Sequence, residues 1–378
     1  MKILIFNWQD IKNPQAGGAE VHLHEVFSRI GGMGHDVTLF CSAFEGSAPV
    51  EAVNNIRVIR KGGRYLFNFL VPFMYWLRFR REKYDLVIDD MNKIPFFTPL
   101  YVREPLYIIT HHLFKKSIFL EVPWPIAMYV YLTEKAGFGL CRSRHIPFIV
   151  GSPSTKQELL EIGIPSGEVE IINYCVDHKL HRPDPPQRST APLIGYFGRL
   201  KKYKSVEQLL HAMVIVRKQI PGLNLVIVGE GDNRQALEKL AGDLGLNSNV
   251  KFTGFVDESE KVRWLQKVWF AVNTSSKEGW GLTVIEANAC GTTVIASDVP
   301  GLRDAVKNND TGLLYPFGDV NDLAAKILRL CNDEAERNRL AKHAYDWAST
   351  FDWDVAARNT LTLLEGRVRQ HSAKRQNH

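Results

Sequence analysis

The chain has 378 residues, of which 45% are hydrophobic and 23% are charged, and its formal net charge is +6 at pH 7. This length suits two domains of ordinary size with separate cores. The modest charge, without a long block of lysine and arginine, argues against a nucleic-acid-binding tail. The scattered cysteines form no Cys-x-x-Cys pair, so neither a disulfide framework nor a zinc site is indicated, and a reducing cytoplasm fits. They are Cys41, Cys141, Cys175, Cys290 and Cys331.

The sequence predicts neither a secretory signal nor a membrane-spanning helix. Residues 1–8 form too short an apolar run for a signal peptide and predict a first buried strand instead. No stretch of about eighteen apolar residues runs without a charge or a proline. We therefore expect a cytoplasmic protein that is soluble or peripheral on the inner face of the membrane.

Residues 1–40 predict the opening βαβ unit of a doubly wound α/β sheet. After the first strand comes the loop 13–20, which contains Gly17 and Gly18, and a second strand ends near residue 40. Between them, apolar residues recur at helical spacing, namely Leu23, Val26, Phe27 and Ile30. Strand, glycine loop, helix and strand in this order are typical of α/β folds. Gly17 and Gly18 would then face a cleft, although such a pair is also common in plain tight turns.

Residues 57–83 are both basic and aromatic. Eight cationic residues surround the apolar run 65–77, opposed only by Glu82: Arg57, Arg60, Lys61, Arg64, Arg78, Arg80, Arg81 and Lys83. Residues 113–133 are again apolar and aromatic, with Lys115 and Lys116 among them. One interpretation is peripheral contact with an anionic membrane through both segments. The other is a core helix with a solvated rim, and since nothing resembles a nucleic-acid-binding motif, no nucleic acid partner is predicted.

Two further strands are predicted to bring polar side chains to the ligand-binding edge of the first sheet. One ends at Asp89 and Asp90, and the next ends at His111 and His112. Either aspartate would serve as a base on the acceptor side or simply cap a loop. A single histidine at a strand end is more often structural than functional.

The domain boundary is predicted in residues 182–192, which contain four prolines and no apolar periodicity. This segment is interpreted as a linker. The first domain would then cover residues 1–181, and the second would cover residues 193–354.

The second domain opens with a predicted strand that delivers Arg199 to the cleft, and Lys204 follows five residues later. Two cations on one loop can neutralise a diphosphate, although solvated surface charges are the plainer alternative. Further on, Gly229 and Gly231 invite comparison with a dinucleotide-binding fingerprint. The third glycine position is an arginine and no acidic residue ends the next strand, so no nicotinamide cofactor, and no other cofactor, is predicted.

The most informative stretch is Glu-Gly-Trp-Gly-Leu-Thr-Val-Ile-Glu, from Glu278 to Glu286. It follows a short apolar run that predicts a buried strand, and a helix is predicted to begin inside it. The first amides of that helix lack intrahelical partners, and such a helix end attracts phosphate. The donors would be the backbone amides of Gly281, Leu282 and Thr283.

The two glutamates flank this helix end. Carboxylates are poor phosphate ligands but good acceptors for hydroxyl groups, such as those of a sugar and a ribose. Gly279 and Gly281 would let the backbone approach a ligand closely. The plainer interpretation makes Glu278 a solvated loop residue and Glu286 a partner of the helix dipole.

The two glutamates at this spacing, followed by Ala-Asn-Ala-Cys-Gly-Thr-Thr-Val-Ile-Ala-Ser-Asp-Val-Pro-Gly, resemble the retaining glycosyltransferases of family 4. That resemblance covers nearly the whole chain and is strongest from Arg199 to Gly318. It implies the GT-B architecture, in which two Rossmann-like doubly wound domains face each other across a cleft. It also implies metal-independent transfer of a hexosyl group from a nucleoside-diphosphate sugar to a hydroxyl acceptor.

The resemblance assigns roles to the second-domain residues. Glu278 would hold sugar hydroxyls and Glu286 the ribose, while Arg199 and Lys204 would bind the diphosphate. Ser205 departs from the family pattern, which has glycine after the lysine. The remaining donor-binding positions are Gly279, Gly281, Leu282 and Thr283.

In the first domain, the Gly-Gly-Ala-Glu loop with Gly17 and Gly18 resembles the family loop beside the donor diphosphate and acceptor. The family histidine against the transferred sugar corresponds first to His112 and second to His111. The family Asn-Gly-Val-Asp turn is altered here, because Tyr174 and Cys175 displace its glycine.

The C-terminal residues also resemble the family pattern. A last helix, about 355–378, is expected to pack back on the first domain. Asp352 and Asp354 spell the Asp-x-Asp metal signature of a different glycosyltransferase fold, but they lie far from any nucleotide-binding strand. We therefore predict no metal.

No carboxylate nucleophile is evident in the first domain, so attack on the face from which the diphosphate departs is the mechanism that the family implies. The acceptor is expected to be lipid-linked or a saccharide, in glycolipid, polysaccharide or cell-envelope glycan synthesis. Three alternatives remain open: a nucleotide-sugar epimerase, a phosphorylase of the same architecture, and a non-catalytic carbohydrate-binding protein.

Overall fold

The computed structural model of the protein describes residues 1–91, 94–120 and 122–376. The chain forms two compact units. One comprises Met1–Tyr174 and the C-terminal segment from Trp353, and the other comprises Cys175–Asp352. Each unit is built on a parallel sheet with helices, so the predicted pair of Rossmann-like α/β domains is confirmed. No helix of the described residues has both the length and the apolar character needed to cross a bilayer.

The first unit contains an eight-stranded sheet whose order is β3-β4-β2-β1-β5-β6-β7-β8. All neighbouring strands are parallel except the pair of β3 and β4. The strands are β1 Lys2–Phe6, β2 Asp36–Cys41, β3 Val50–Val53, β4 Ile56–Arg60, β5 Leu86–Met91, β6 Leu106–Thr110, β7 Phe148–Val150 and β8 Val169–Ile171. The first helices are α1 Gly18–Gly32, α2 Phe67–Leu77, α3 Trp124–Ser143 and α4 Pro153–Glu161.

The second unit contains a fully parallel six-stranded sheet with the order β11-β10-β9-β12-β13-β14. Its strands are β9 Leu193–Phe197, β10 Asn224–Val228, β11 Val250–Gly254, β12 Phe270–Asn273, β13 Val294–Ser297 and β14 Gly312–Tyr315. Its helices are α5 Val206–Val216, α6 Arg234–Asp243, α7 Glu258–Lys267, α8 Leu282–Ala289, α9 Leu302–Ala305, α10 Val320–Asn332 and α11 Glu334–Ala348.

The strand order of each sheet creates one topological switch point. In the first unit it lies where β1 has β2 on one side and β5 on the other. In the second unit it lies where β9 has β10 on one side and β12 on the other. Ligands of open α/β sheets bind outside the carboxyl ends of the strands at such points. The loops that follow β1 and β5 in one unit, and β9 and β12 in the other, are therefore the candidate ligand loops.

The C-terminal helix α12, Trp353–Gln376, belongs to the first unit, where it packs against α1. The sequence placed its start at about residue 355 and its end at residue 378, but residues 377 and 378 lie outside the described residues. An ion pair contributes to the packing, because the Arg29 Nε on α1 donates to Asp354 Oδ1 over 2.6 Å. Asp354, half of the apparent metal signature, is thus engaged in a helix contact.

The predicted linker 182–192 is packed onto the second unit. Arg188 donates to the Gly291 carbonyl and to Thr292 Oγ1, each over 2.8 Å. The indole nitrogen of Trp269 donates to the Ser189 carbonyl over 2.7 Å. The proline-rich segment is part of the compact unit Cys175–Asp352, whereas the sequence predicts a first domain that extends to residue 181. Proline content correctly indicated irregular backbone, but it does not report the side-chain contacts that attach this backbone to a domain.

Arg60 was wrongly included among the surface cations of residues 57–83. It lies on β4 with its side chain 1% exposed, and its guanidinium binds the Asp10 carboxylate through Nε at 2.6 Å and Nη2 at 2.9 Å. A third bond, 2.9 Å long, joins it to Glu51. Burial of a charge requires such a complete set of partners. The sequence did not reveal them because Asp10 is fifty residues away.

Gly229 and Gly231 are explained by close packing of two loops. A Cβ added to Gly231 would lie 2.3 Å from the carbonyl oxygen of Leu200, and one added to Gly229 would lie 2.0 Å from that of Gly198. The loops after β9 and β10 are also joined by a hydrogen bond from the Leu200 amide to the Glu230 carbonyl, 2.9 Å long. These glycines permit the approach of two backbones.

Gly231→Ala should lower the free energy of unfolding by about 1–3 kcal/mol, because a backbone must move to accommodate the methyl group. Gly242→Ala is the matched control, since its Cβ would meet only the Asn247 side chain at 3.6 Å and it lies inside α6. That change should be neutral or stabilising by about 0.5–1 kcal/mol. Urea unfolding followed by circular dichroism measures both, and equal midpoints for the two variants would refute this account of Gly231.

Candidate functional site

Lys204 and Glu278 form an ion pair at the switch point of the second unit. Lys204 ends a short 3₁₀ turn, Lys202–Lys204, that follows β9, and Glu278 lies in the loop that follows β12. The Lys204 ammonium contacts Glu278 Oε1, and the Ser275 hydroxyl donates to the same oxygen over 2.7 Å. The two ionic side chains are only 14% and 17% exposed. Glu278 is therefore a held carboxylate, in contrast to the solvated loop residue of the plainer interpretation.

The charge of Lys204 is maintained by its neighbours. Burial on its own would lower the pKa of the ammonium, but the Glu278 carboxylate and the Tyr203 and Tyr196 rings outweigh it, so the pKa lies above its ordinary value. Lys204 is thus a cation at neutral pH. Removing one member of a buried pair leaves an uncompensated charge, which typically costs about 3–5 kcal/mol.

Glu286 makes a second pair of the same kind. It lies on α8 and is 7% exposed, and its Oε2 accepts a 2.9 Å hydrogen bond from the ammonium of Lys261 on α7. Lys261 also donates to Glu258 Oε1 over 2.5 Å. Burial would lower the pKa of Lys261, but Glu286 and Glu258 raise it above its ordinary value. Lys261 was not identified from the sequence, because nothing in α7 marks one lysine as the partner of a glutamate 25 residues later.

Each carboxylate commits one oxygen to its lysine. Among the described contacts, Glu278 uses Oε1 for Lys204 and Ser275, and Glu286 uses Oε2 for Lys261. The second oxygen of each has no protein donor in the part of the chain that the structure describes. A neutralised carboxylate with one remaining oxygen is suited to accept a hydrogen bond from a ligand hydroxyl.

One group of potential metal-ligating side chains stands out within the described ranges. Ligand atoms of His181, Glu258 and Glu286 all lie within 4.8 Å of one another. His181 is 5% exposed, and its Nδ1 lies 3.2 Å from the Asp177 carbonyl oxygen. The ammonium of Lys261 already binds both glutamates, so the group has an internal cation.

The N-terminus of α8 is held beside Glu278. Gly281 precedes the helix at φ 87°, in the left-handed region that favours glycine, and the helix itself supplies no partner for the amides of Leu282 and Thr283. Trp280 is 3% exposed and packs its ring against Phe351, 5.2 Å between centroids. The loop is thereby anchored immediately before the helix.

A second glycine fixes this loop from the other side. A Cβ on Gly301, which has φ 82°, would lie 2.3 Å from the Glu278 carbonyl oxygen. The turn between β13 and α9 therefore presses directly on the backbone of Glu278 and Gly279. The turn Asp298–Gly301 thus contributes to the site through its backbone.

Arg199 and Ser205 flank the loop that carries Lys204. Arg199 is exposed, just after Gly198, which has φ 146°. Ser205 has φ 50° and precedes α5. A left-handed conformation at this position explains why the family pattern has glycine there, since glycine adopts it without a Cβ clash.

In the first unit, Gly17 and Gly18 form the start of α1. The Gly17 amide donates to Glu20 Oε2 over 2.7 Å, so the side chain of Glu20 turns back to cap its own helix. Glu20 is 2% exposed, and burial raises the pKa of its carboxyl. Gly17 has φ −142°, which any residue adopts, so its φ does not require glycine.

His111, the second choice from the sequence, lies in a buried polar network. Its Nε2 donates to Asp90 Oδ1 over 2.7 Å, and its Nδ1 contacts the Tyr174 hydroxyl. Burial lowers the pKa of the imidazole, but Asp90 and Glu20 outweigh it and raise the pKa above its ordinary value. His22 stacks on Tyr174 with 4.4 Å between ring centroids.

His112, the first choice, is half-buried with its ring centroid 4.5 Å from that of Phe114. The structure therefore separates the adjacent histidines, one inside the network and one at its edge. Tyr174, noted only as a departure from the family turn, packs over Gly151, where a Cβ would lie 2.6 Å from its ring. The departure itself was the signal that this tyrosine has a local role.

Asp89 is buried apart from this network. The Thr98 hydroxyl donates to Asp89 Oδ2 over 2.6 Å, and burial raises the pKa of the carboxyl to about 7. Asp89 therefore acts as a structural partner of Thr98, whereas Asp90 pairs with His111. Of the two roles that the sequence left open, these contacts fit the structural one for Asp89.

Comparison with known proteins agrees with this geometry. The model of Glycosyltransferase Family 4 matches residues 16–180, and that of Glycosyl transferases group 1 matches residues 177–347. A D-inositol 3-phosphate glycosyltransferase of Streptomyces bingchenggensis (strain BCW-1) is 33% identical over 404 residues, covering 96% of this chain and 88% of that protein.

Solved structures give the same fold. Sucrose-phosphate synthase from Thermosynechococcus elongatus has a TM-score of 0.81 and 25% identity, covering 97% of this chain and 98% of that one. Anabaena HepE in complex with UDP-glucose has a TM-score of 0.78 and 20% identity, covering 97% and 100%.

The two Rossmann-like units and these relatives define a GT-B glycosyltransferase. The chain belongs to the family 4-type glycosyltransferases. It is a nucleotide-sugar glycosyltransferase of glycan biosynthesis, as the sequence predicts.

Asp89→Asn should remove a pH dependence of stability. The folded protein holds the Asp89 proton with a pKa of about 7, against a usual value of 3.8, so this stabilisation is complete below pH 3.8 and is lost as the pH rises through about 7. Within that window, ionisation of this group in the unfolded state should lower the free energy of unfolding of the wild type by about 1.4 kcal/mol per pH unit. Urea midpoints from about pH 5 to about pH 8 measure the slope. Asp243→Asn, at an exposed site, should keep the wild-type slope, and an unchanged slope in Asp89→Asn would contradict the assignment.

Proposed function

We propose that the protein is a retaining, metal-independent hexosyltransferase that uses a nucleoside-diphosphate sugar and a hydroxyl acceptor. One observation carries the proposal: Glu278 and Glu286, on either side of the α8 N-terminus, each bind a lysine through one oxygen and keep the other for a ligand. A diphosphate suits the helix end, and hydroxyl groups suit the two carboxylates.

The proposed roles follow from these positions. The second oxygen of Glu278 accepts hydrogen bonds from the transferred sugar, and that of Glu286 accepts them from the ribose. Lys204 and Arg199 stabilise the negative charge that develops on the leaving diphosphate. The amides of Leu282 and Thr283 add donors at the helix end, and Gly279 and Gly281 allow close approach.

In the first unit, Gly17 and Gly18 are proposed to lie beside the donor diphosphate, and His112 against the sugar. The network of Asp90, His111 and Tyr174 supports the backbone just before His112. His111 is thus a positioning residue in this proposal, because both of its ring nitrogens are engaged with protein partners.

Metal independence is supported by the positive charge of the site, and retention by the resemblance to retaining family members. Departure of a diphosphate requires positive charge, and Lys204, Arg199 and the helix end provide it without a divalent ion. Attack from the side on which the diphosphate leaves would retain the anomeric configuration and requires no enzyme nucleophile. The α-linkage or β-linkage of the product relative to the donor is the direct measurement of this step.

The acceptor is proposed to be lipid-linked or a saccharide, with the enzyme on the inner face of the membrane. Two exposed apolar surfaces of the first unit support a membrane-proximal acceptor. On α2 and the turn before it, the exposed residues are Tyr65, Leu66, Phe69, Phe73, Trp76 and Leu77. On α3 they are Trp124, Ile126, Tyr129 and Leu132. Glu121 and the side chain of Lys116, within the predicted range 113–133, lie outside the described residues.

Exposed aromatic residues flanked by cations are typical of proteins that lie in an anionic membrane interface. Besides the buried Arg60, residues 57–83 carry several such cations, although Arg78 pairs with Glu82 over 2.7 Å. The proposed contact therefore uses the exposed face of α2, the exposed face of α3 and the remaining cations of these segments.

Glu278→Gln should lower kcat for sugar transfer by at least about 100-fold while leaving the affinity for the free nucleoside diphosphate within about threefold. The amide keeps the shape and an acceptor oxygen for Lys204 and Ser275, but its NH2 group replaces the second oxygen, so the loss reports the missing acceptor for the sugar hydroxyls. Steady-state transfer and calorimetry with the nucleoside diphosphate measure the two quantities. Glu238→Ala, on α6, is the surface control, and full activity in Glu278→Gln would refute the proposed role.

The donor should stabilise the protein according to its affinity, even with a chelator present. A thermal-shift screen of uridine, guanosine and adenosine diphosphate sugars in EDTA tests donor choice and metal independence together. UDP-glucose leads the screen because HepE, a protein of the same fold, was crystallised with it. A shift that appears only after a divalent ion is added would contradict the metal-independent mechanism.

A further inference from the structure

The first unit has a concavity that is remote from the ligand loops of its sheet. It lies at the amino ends of β5 and β6, where Lys83 precedes one strand and Arg103 precedes the other, and α12 forms its third side. Its volume is about 340 Å³. The loops that follow β1, β5 and β6 leave from the opposite edge of this sheet, so this groove is separate from the proposed donor and acceptor positions.

Three cations line the groove, namely Arg80, Lys83 and Arg103. None of them forms an ion pair with a carboxylate in the described part of the chain. The two acidic residues of the lining are already engaged. Asp85 accepts the Lys2 amide over 2.7 Å, and Glu104 accepts the Tyr75 hydroxyl over 2.5 Å as well as the Arg103 amide over 3.1 Å.

Trp76 holds two of these cations near each other. The guanidinium carbon of Arg80 lies 4.4 Å from the centre of the indole ring, and that of Arg103 lies 6.0 Å away. Cation–π contacts of this kind restrain a long side chain without neutralising its charge. The groove lining therefore has three basic side chains against two acidic ones, and Trp76 restrains two of the basic groups, which an ordinary solvated surface arginine lacks.

The same tryptophan connects the groove to the exposed face of α2. Trp76 is 47% exposed, and Phe69 and Phe73, at 67% and 60%, lie on the same side of the helix at helical spacing. A basic groove next to an apolar, solvent-facing helix surface matches the layered chemistry of a bilayer, where phosphate groups lie directly above acyl chains. Planar guanidinium groups bind phosphate through paired hydrogen bonds.

We propose that this groove binds the phosphate-bearing headgroup of an anionic membrane lipid while the exposed face of α2 enters the interface. The site rests on the proposed membrane contact and deepens it, since it names the side chains that select the anionic lipid. Arg80, Arg103 and Lys83 bind the headgroup phosphate. Phe69 and Phe73 supply affinity that does not depend on the headgroup.

The test is partitioning of the full-length protein onto vesicles of phosphatidylcholine alone and of phosphatidylcholine mixed with phosphatidylglycerol. The wild type should prefer the anionic vesicles. In the triple variant that combines Arg80→Gln, Lys83→Gln and Arg103→Gln, that preference should fall roughly 100-fold, since each basic side chain near an anionic surface contributes to the binding free energy. The matched control is a triple variant that removes three exposed charges elsewhere, Lys218→Gln, Arg263→Gln and Arg358→Gln. It should bind like the wild type.

Two further arms identify the cause. Phe69→Ser with Phe73→Ser should weaken binding to both vesicle types equally, because it removes apolar insertion and leaves the groove intact. Titration with sn-glycerol 3-phosphate, followed by NMR, tests for a soluble phosphate ligand. Tight, groove-dependent binding of that compound without vesicle binding would overturn the lipid assignment.

Other outcomes also decide the matter. Equal losses in the groove variant and the matched control would mean nonspecific attraction and would overturn the site. If the wild type binds neither vesicle, the membrane contact and the headgroup site both fail. Sugar transfer to a soluble acceptor would remain a separate measurement of the transferase proposal, so its failure is distinguishable from that of the groove.

Discussion

The buried pair of Lys204 and Glu278 is the interaction on which the second-unit site depends. Its two members come from loops after β9 and β12, the strands that meet at the switch point, so the pair exists only when the parallel sheet is correctly assembled. Neutralising Glu278 with a lysine permits the carboxylate to be buried beside a helix N-terminus. The helix end adds partial positive charge beside this neutral pair, which favours an anionic ligand such as a diphosphate.

The same solution appears twice in this unit. Glu286 is neutralised by Lys261, as Glu278 is by Lys204, and in both pairs a single carboxylate oxygen is used. Two acids near an anionic ligand would otherwise repel it. Pairing each with a lysine converts a repulsive surface into one that accepts hydroxyl hydrogen bonds without adding negative charge. This explains how a site with two glutamates would be compatible with a nucleoside-diphosphate ligand.

The parts predicted well from sequence were those with local signals. Apolar runs such as residues 269–273 predict buried strands. Gly281 predicts the start of α8, because a left-handed backbone conformation favours glycine. The parts that were missed depend on tertiary neighbours. Nothing in the local sequence marks Lys261 as the partner of Glu286, or distinguishes the buried Arg60 from a surface cation, because its partner Asp10 is fifty residues away. The bonds of Arg188 to the second unit likewise have no local signal.

Tyr174 shows what a departure from a family pattern can contribute. The expected glycine turn is replaced by a bulky side chain, and space for it comes from Gly151, whose missing Cβ admits the ring. The tyrosine hydroxyl then occupies one nitrogen of His111, while Asp90 occupies the other. A histidine with both nitrogens engaged is fixed in orientation, so the backbone leading to His112 is held in place. His22 on α1 stacks on the same ring, so Tyr174 packs together the helix that follows the glycine loop and the end of β6 that carries His111.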